Sequence, residues 1–192
     1  MPISASRASP SPLDALVAAF SARAAETLAG LERRLHDLDP HVVAAAAPML
    51  ARMIVESRDE AIAAGVEPVP EAIRAELADH VPPEILDLAR WCANCGSELS
   101  LQKNAFRLGL APAITLGHVI VFLNRDDALT DPALWAHELK HVMQFEEWGI
   151  DGFAGRYIDD YEAVEREAAE FRWEWVKRTG WLERRHAARA GG

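Results

Sequence analysis

One short stretch constrains this chain more than any other. Asp131-Pro132 opens it, Gly149 closes it, and His137-Glu138-Leu139-Lys140-His141 lies between them. Asp is a favoured N-cap, Pro a favoured first helical residue, and Gly a frequent helix stop. Leu134, Trp135, Leu139, Val142, Met143 and Trp148 supply the apolar residues of the interval. The pattern predicts a helix that begins at Pro132 and ends at Gly149. On such a helix positions 137 and 141 lie one turn apart on one face. Two imidazoles so placed can share one tetrahedral metal ion, zinc above all. Glu138 projects to the side, where a carboxylate can draw a proton from a water on that ion. The competing reading is a pair of ordinary histidines, packed in a core or facing solvent.

A catalytic zinc site takes three protein ligands, so the third must come from elsewhere. The next predicted helix is capped by Asp159 or Asp160 after a short loop, runs to about Arg178, and stops at Gly180. It carries Glu162, Glu165, Glu167 and Glu170. Most of these must be solvated, because buried carboxylates without partners are costly. Periodicity does not choose among them.

Upstream of the histidines, Ala113 to Leu123 is the strongest strand signal, β-branched and aromatic, with Gly117 marking a turn, a bulge or a close approach. It reads as one bent strand or a small hairpin. Residues 92–118 as a whole read as loop and strand. Before them come short helical elements at 71–80 and from Glu84 to Trp91, separated by Pro82 and Pro83. A longer helix is expected from His41 to Ala64, with Pro48 as a kink or a break and Gly65 as its stop, followed by a turn over 66–70. An amphipathic helix is expected over 12–38, where Leu13, Leu16, Val17, Phe20, Ala24, Leu28, Leu31 and Leu35 form one stripe. Residues 1–11, rich in Ser, Pro and Ala, are expected to be disordered. The expectation is therefore an α+β, mostly helical chain. It has one domain over 12–192, with a core at roughly 57–180 and an N-terminal helical extension.

Charge narrows the partners. With 30 acidic against 20 basic side chains, the net charge is −10 and no basic block is present. That argues against nucleic acid, whose phosphates need a positive footprint. The longest uncharged apolar run, Val42 to Leu50, is too short to span a bilayer. Asp14 and Arg23 interrupt the only apolar stretch near the start, so no secretory signal is read there. The default location is the cytoplasm, with export by a route lacking such a signal left open.

Other side chains receive secondary readings. The hydroxyls of Tyr157 and Tyr161 could stabilise an oxyanion; the plainer reading is ring packing. His118 reads as structural. Cys92 and Cys95 form a C-x-x-C pair without further cysteines to complete a metal site. They read as reduced thiols, or as a local disulfide under oxidation. Among Phe171, Trp173, Trp175 and Trp181, Trp173 and Trp175 cannot share one helical face.

Four segments resemble a bacterial family of zincin-like domains, called DUF4157 or the core domain of extracellular contractile injection systems. They are Gly65-Val-Glu-Pro-Val-Pro70, Ala113 to Phe122, Ala136-His-Glu-Leu-Lys-His-Val-Met-Gln144 and Glu165-Arg-Glu-Ala168. The resemblance extends over somewhat more than half the chain, and the histidine helix is its most specific part. The last segment is also similar to the E-x-E-A pattern of glutamate-type zincins, the gluzincins. The resemblance implies a zincin-like fold with a short β element beside the histidine helix. It implies Zn2+ held by His137, His141 and Glu165, with Glu138 as general base. It implies a peptide or protein as substrate or partner. One position departs from related peptidases: where they often carry an aspartate that orients a histidine ligand, this chain has Ala169. Two functions are then open, a zinc-dependent peptide hydrolase or an inactive zincin-fold binding or assembly module stabilised by zinc. A helical adaptor without metal is a third, weaker one.

Overall fold

The computed structural model describes residues 40–97, 100–107 and 111–190. The expected N-terminal helix over 12–38 and the tail before it lie outside these residues. The elements, in chain order, are α1 (Pro40–Ala64), β1 (Glu67–Pro68), α2 (Glu71–Leu77), α3 (Pro83–Leu88), β2 (Arg90–Ala93), α4 (Leu101–Arg107), β3 (Ala113–Leu116), β4 (Val119–Phe122), α5 (Arg125–Thr130), α6 (Pro132–Asp159), α7 (Tyr161–Thr179) and α8 (Trp181–Ala190). The fold is α+β and mostly helical, with one small mixed sheet, as expected.

The run from Ala113 to Leu123 resolves into a hairpin. β3 and β4 pair antiparallel, with Leu116 opposite Val119 and Ala113 opposite Phe122. Gly117 makes the turn at φ +68°, a left-handed conformation that costs glycine little. The sheet order is β1-β2-β4-β3, so β3 is an edge strand. β2 runs parallel to β4, with Cys92 beside Val121, and antiparallel to β1. β2 begins where the sequence suggested a continuation of the helical element from Glu84. Arg90 and Trp91 join the sheet instead, with the Trp91 indole N–H donating to the Pro68 carbonyl at 3.0 Å.

All four β4 residues are buried, and they alternate between two cores. Ile120 and Phe122 face a cluster that includes Trp91, Trp135, Leu139 and Trp175. Val119 and Val121 face a second cluster with Leu50, Ile54, Phe145 and Phe153. A strand covered on both sides reads as an unbroken apolar run rather than an alternation, which is how Val119-Ile-Val-Phe122 appears in the sequence. Trp91, Phe122 and Trp135 meet at ring-centroid distances of 4.9 to 6.3 Å. Burying such rings dominates the energetics of a core this size. The Trp135 N–H donates to the Ala128 carbonyl at 2.6 Å, so its one polar atom is satisfied.

α1 runs on through Pro48 without ending. Two other elements depart from expectation. Residues 101–107, within a stretch expected as loop and strand, form α4. The segment after Gly149, expected as loop, is helical to Asp159. Gly149 (φ 69°, ψ 172°) breaks α6 into two arms rather than stopping it. Asp160 then caps α7, accepting from the Ala163 N–H at 2.9 Å, and Gly180 ends it in the left-handed conformation. α7 packs along α6, which brings Glu165 of one helix against the histidines of the other.

Candidate metal centre

The first arm of α6 starts where the sequence predicts. The Asp131 carboxylate accepts from the N–H groups of Ala133 and Leu134 at 3.1 and 3.0 Å, satisfying two donors that a helix start leaves open. Its other oxygen pairs with Arg185 of α8 at 3.0 Å. His137 and His141 then fall on successive turns, with ring centroids 4.9 Å apart. Glu165 faces them from the second turn of α7.

Two imidazole nitrogens and one carboxylate converge. The two Nε2 atoms are 3.2 Å apart. Glu165 Oε2 is 3.4 Å from the His137 Nε2, and Glu165 Oε1 is 3.5 Å from the His141 Nε2. A tetrahedral ion with bonds of about 2.0–2.1 Å separates its ligands by about 3.3–3.4 Å. The triangle of two Nε2 atoms and one carboxylate group, whose two oxygens face one imidazole each, is of the size that such an ion requires, and the donor set of two imidazoles and one carboxylate suits it. Among the described residues, His137, His141 and Glu165 are the group of His, Cys, Asp or Glu side chains that could hold a metal ion. Glu162 and Glu170 do not join it. Glu167 lies beside it, on Gln144 at 3.0 Å and Lys140 at 3.4 Å.

The electrostatics of the group seek a positive charge. Burial by itself would push the His141 imidazole down, but the hydrogen bond and charge of Glu165, with the charge of Glu138, outweigh it and raise its pKa. For Glu165, burial pushes the carboxyl up, while hydrogen bonds from His137 and His141 hold it well below the usual carboxylate range. A site that draws a proton onto an imidazole in this way offers the same charge complement to a cation, whose binding would displace that proton.

Glu138 is buried and does not touch the triangle directly. Its Oε2 accepts from the Thr115 hydroxyl at 2.8 Å, so β3 holds the carboxylate from the sheet side. The Tyr157 hydroxyl lies 3.4 Å from Glu165 Oε1, to which it donates. Its ring stacks on Phe153 at 5.5 Å, and Phe153 meets the edge of His141 at 6.0 Å. Tyr161 packs edge-on against Tyr157 at 4.9 Å. His118 sits half-buried in the β3–β4 turn, where burial and the charge of Arg58 push its pKa down. Cys92 and Cys95 are joined as a disulfide, so neither offers a thiolate to a metal.

Two residues with evident roles were not singled out from sequence. Gln144 presents its Oε1 to the His141 Nδ1 at 2.7 Å. It follows His141 by three residues, hence on the same helical face, and that spacing is the signal that could have revealed it. Thr115 is the polar member of an otherwise apolar strand.

Residues 68–149 match the family model of the eCIS core domain. The eCIS core segment takes in β2, β3, β4 and the Pro68 end of β1, with the first arm of α6, and so His137, Glu138, His141 and Gln144. It ends at Gly149, which leaves Glu165 and Tyr157 outside the match. No curated protein and no solved structure matches the chain significantly.

Proposed function

We propose that this chain is a zinc-binding, metallopeptidase-like protein with a zincin-like arrangement of sheet and helices, and that it hydrolyses peptide bonds. The observation that carries the reading is the convergence of the His137 and His141 Nε2 atoms, 3.2 Å apart, on the Glu165 carboxylate, whose Oε2 and Oε1 lie 3.4 and 3.5 Å from them respectively, with Glu138 on the same helix as the histidines. Zinc, when bound, would supply a Lewis acid that polarises a carbonyl and lowers the pKa of a water. His137, His141 and Glu165 would hold it. Glu138 would take the proton from that water and pass it to the leaving amine. The Thr115 hydroxyl occupies one oxygen of Glu138, leaving the other for the proton. Tyr157 would act beside the Glu165 ligand, near any developing oxyanion. A peptide would add to the sheet along its edge strand β3, whose outer side has no strand partner among the described residues.

A second reading keeps the metal and removes the turnover: a zincin-fold binding or assembly module. The deep burial of Glu138, which is 4% exposed, favours it.

Metal content tests the first step. Elemental analysis of the wild type should find about one zinc per chain, lost in Glu165→Ala and kept in Glu162→Ala. A wild type that takes up no zinc when it is offered rules out both readings. A peptide library then separates them: cleavage that Glu138→Gln abolishes, with zinc retained, supports the hydrolase. No cleavage by zinc-loaded wild type supports the module.

A further inference from the structure

Gln144 is fully buried on α6, and its amide has three polar neighbours. Its Oε1 lies 2.7 Å from the His141 Nδ1. Its Nε2 lies 3.1 Å from the Val164 carbonyl and 3.0 Å from Glu167 Oε2. A backbone carbonyl and a carboxylate only accept hydrogen bonds, so the NH2 end must face them. The reversed amide would place its oxygen against two acceptors and leave both buried groups unsatisfied. Gln144 Oε1 therefore faces His141, and an oxygen can only accept. The proton must sit on the His141 Nδ1. That leaves the Nε2 lone pair to point into the triangle.

The same amide reaches across the helix pair. Val164 precedes Glu165, so the bond to its carbonyl fixes the backbone that delivers the carboxylate ligand. His137 has no equivalent restraint: its Nδ1 is buried without a hydrogen-bond partner among the described residues. We infer that Gln144 is a positioning residue for the metal centre, one that locks the tautomer of His141 and sets the register between the two ligand-bearing helices. The inference rests on the metal reading of the His137, His141 and Glu165 cluster.

The test is a zinc titration of the full chain against a chromogenic chelator, for wild type and Gln144→Met. Methionine keeps the length of the side chain and removes its polar atoms. The variant should bind zinc about 10–100-fold more weakly, the usual effect of losing a partner behind a metal-bound histidine. A Gln144→Met variant with wild-type affinity overturns the inference and leaves the site standing. A wild type that takes up no zinc overturns the metal reading itself, and the inference with it. The two failures are distinct, since the second appears before any variant is made. A measurement on the wild type alone guards against a misfolded variant. In zinc-loaded protein with 15N-labelled histidine, the His141 Nδ1 should carry the proton and Nε2 should show the shift of a metal-bound nitrogen. Zinc on Nδ1 with the proton on Nε2 refutes the assignment.

Discussion

Replacing Thr115 by valine removes the hydroxyl that ties β3 to Glu138, where it lies 2.8 Å from the carboxylate Oε2 and 3.2 Å from the backbone carbonyl. The two side chains have nearly the same shape and the same preference for a strand, so the hydroxyl is the main loss. That hydroxyl donates to Glu138 Oε2 at 2.8 Å, and both residues are buried, at 7% and 4% exposure. A hydrogen bond to a charged acceptor contributes about 1.5–3 kcal/mol, and a buried carboxylate left without its donor bears that loss in full. For a chain of this size each kcal/mol corresponds to about 2–4 °C in Tm. Thermal and urea unfolding of chelator-treated Thr115→Val should thus show a Tm lower by about 3–12 °C. Repeating the substitution in a Glu138→Gln background gives a double-mutant cycle. The hydroxyl then meets a neutral amide, its bond falls to about 1 kcal/mol, and the cycle should return a coupling of at least about 0.5 kcal/mol. Equal costs in the two backgrounds, or no loss at all, would refute the claim that β3 holds the Glu138 carboxylate.

Gly149→Ala should destabilise the chain by about 1–3 kcal/mol in urea unfolding, because φ 69° with ψ 172° is glycine's territory. A methyl group there meets nothing within 4 Å, so the cost is backbone strain alone. His80 supplies a pH prediction. Burial pushes its pKa below the ordinary value, against the opposing effect of its hydrogen bond to the Phe171 carbonyl. The unfolded chain therefore takes up the proton first. The stability due to neutral His80 is complete above the ordinary histidine value near pH 6.5 and is lost as the pH falls through that value to the lower folded one. His80→Gln keeps an N–H donor for Phe171, so its Tm should fall less steeply between pH 7 and pH 5 than that of wild type.

What the sequence disclosed depends on how locally each feature is determined. The start of α6 was legible because Asp131 and Pro132 are local signals, and the same holds for Asp160 and Gly180 around α7. A β-branched run with one glycine marked Ala113 to Leu123 as β structure, without choosing between a bent strand and a hairpin. β2 was not, because four residues of mixed character become a strand only through pairing with β4. The segment after Gly149 was misjudged for a related reason. Glycine is a common stop, but here tertiary packing carries the helix onward through Phe153 and Ala154, both buried. At the site, the histidines follow from spacing on a single helix. The choice of Glu165 among four glutamates needed either a resemblance or the packing of α7 on α6. Thr115 reaches Glu138 from an element remote in sequence, and no local pattern announces such a contact.

The break at Gly149 coincides with the end of the matched segment. Seen as a cassette, that segment brings both imidazoles, the Glu138 carboxylate and the amide behind His141, yet it is chemically unfinished. The carboxylate that would close the coordination sphere comes from α7, beyond its boundary. A chain that exchanged its sequence past Gly149 for another helix would inherit a two-ligand cup. Whether it could then grip an ion would depend on its new neighbour placing one acidic side chain in register. Competence for metal would accordingly be a property of the junction, and two chains carrying the same cassette could differ in it completely.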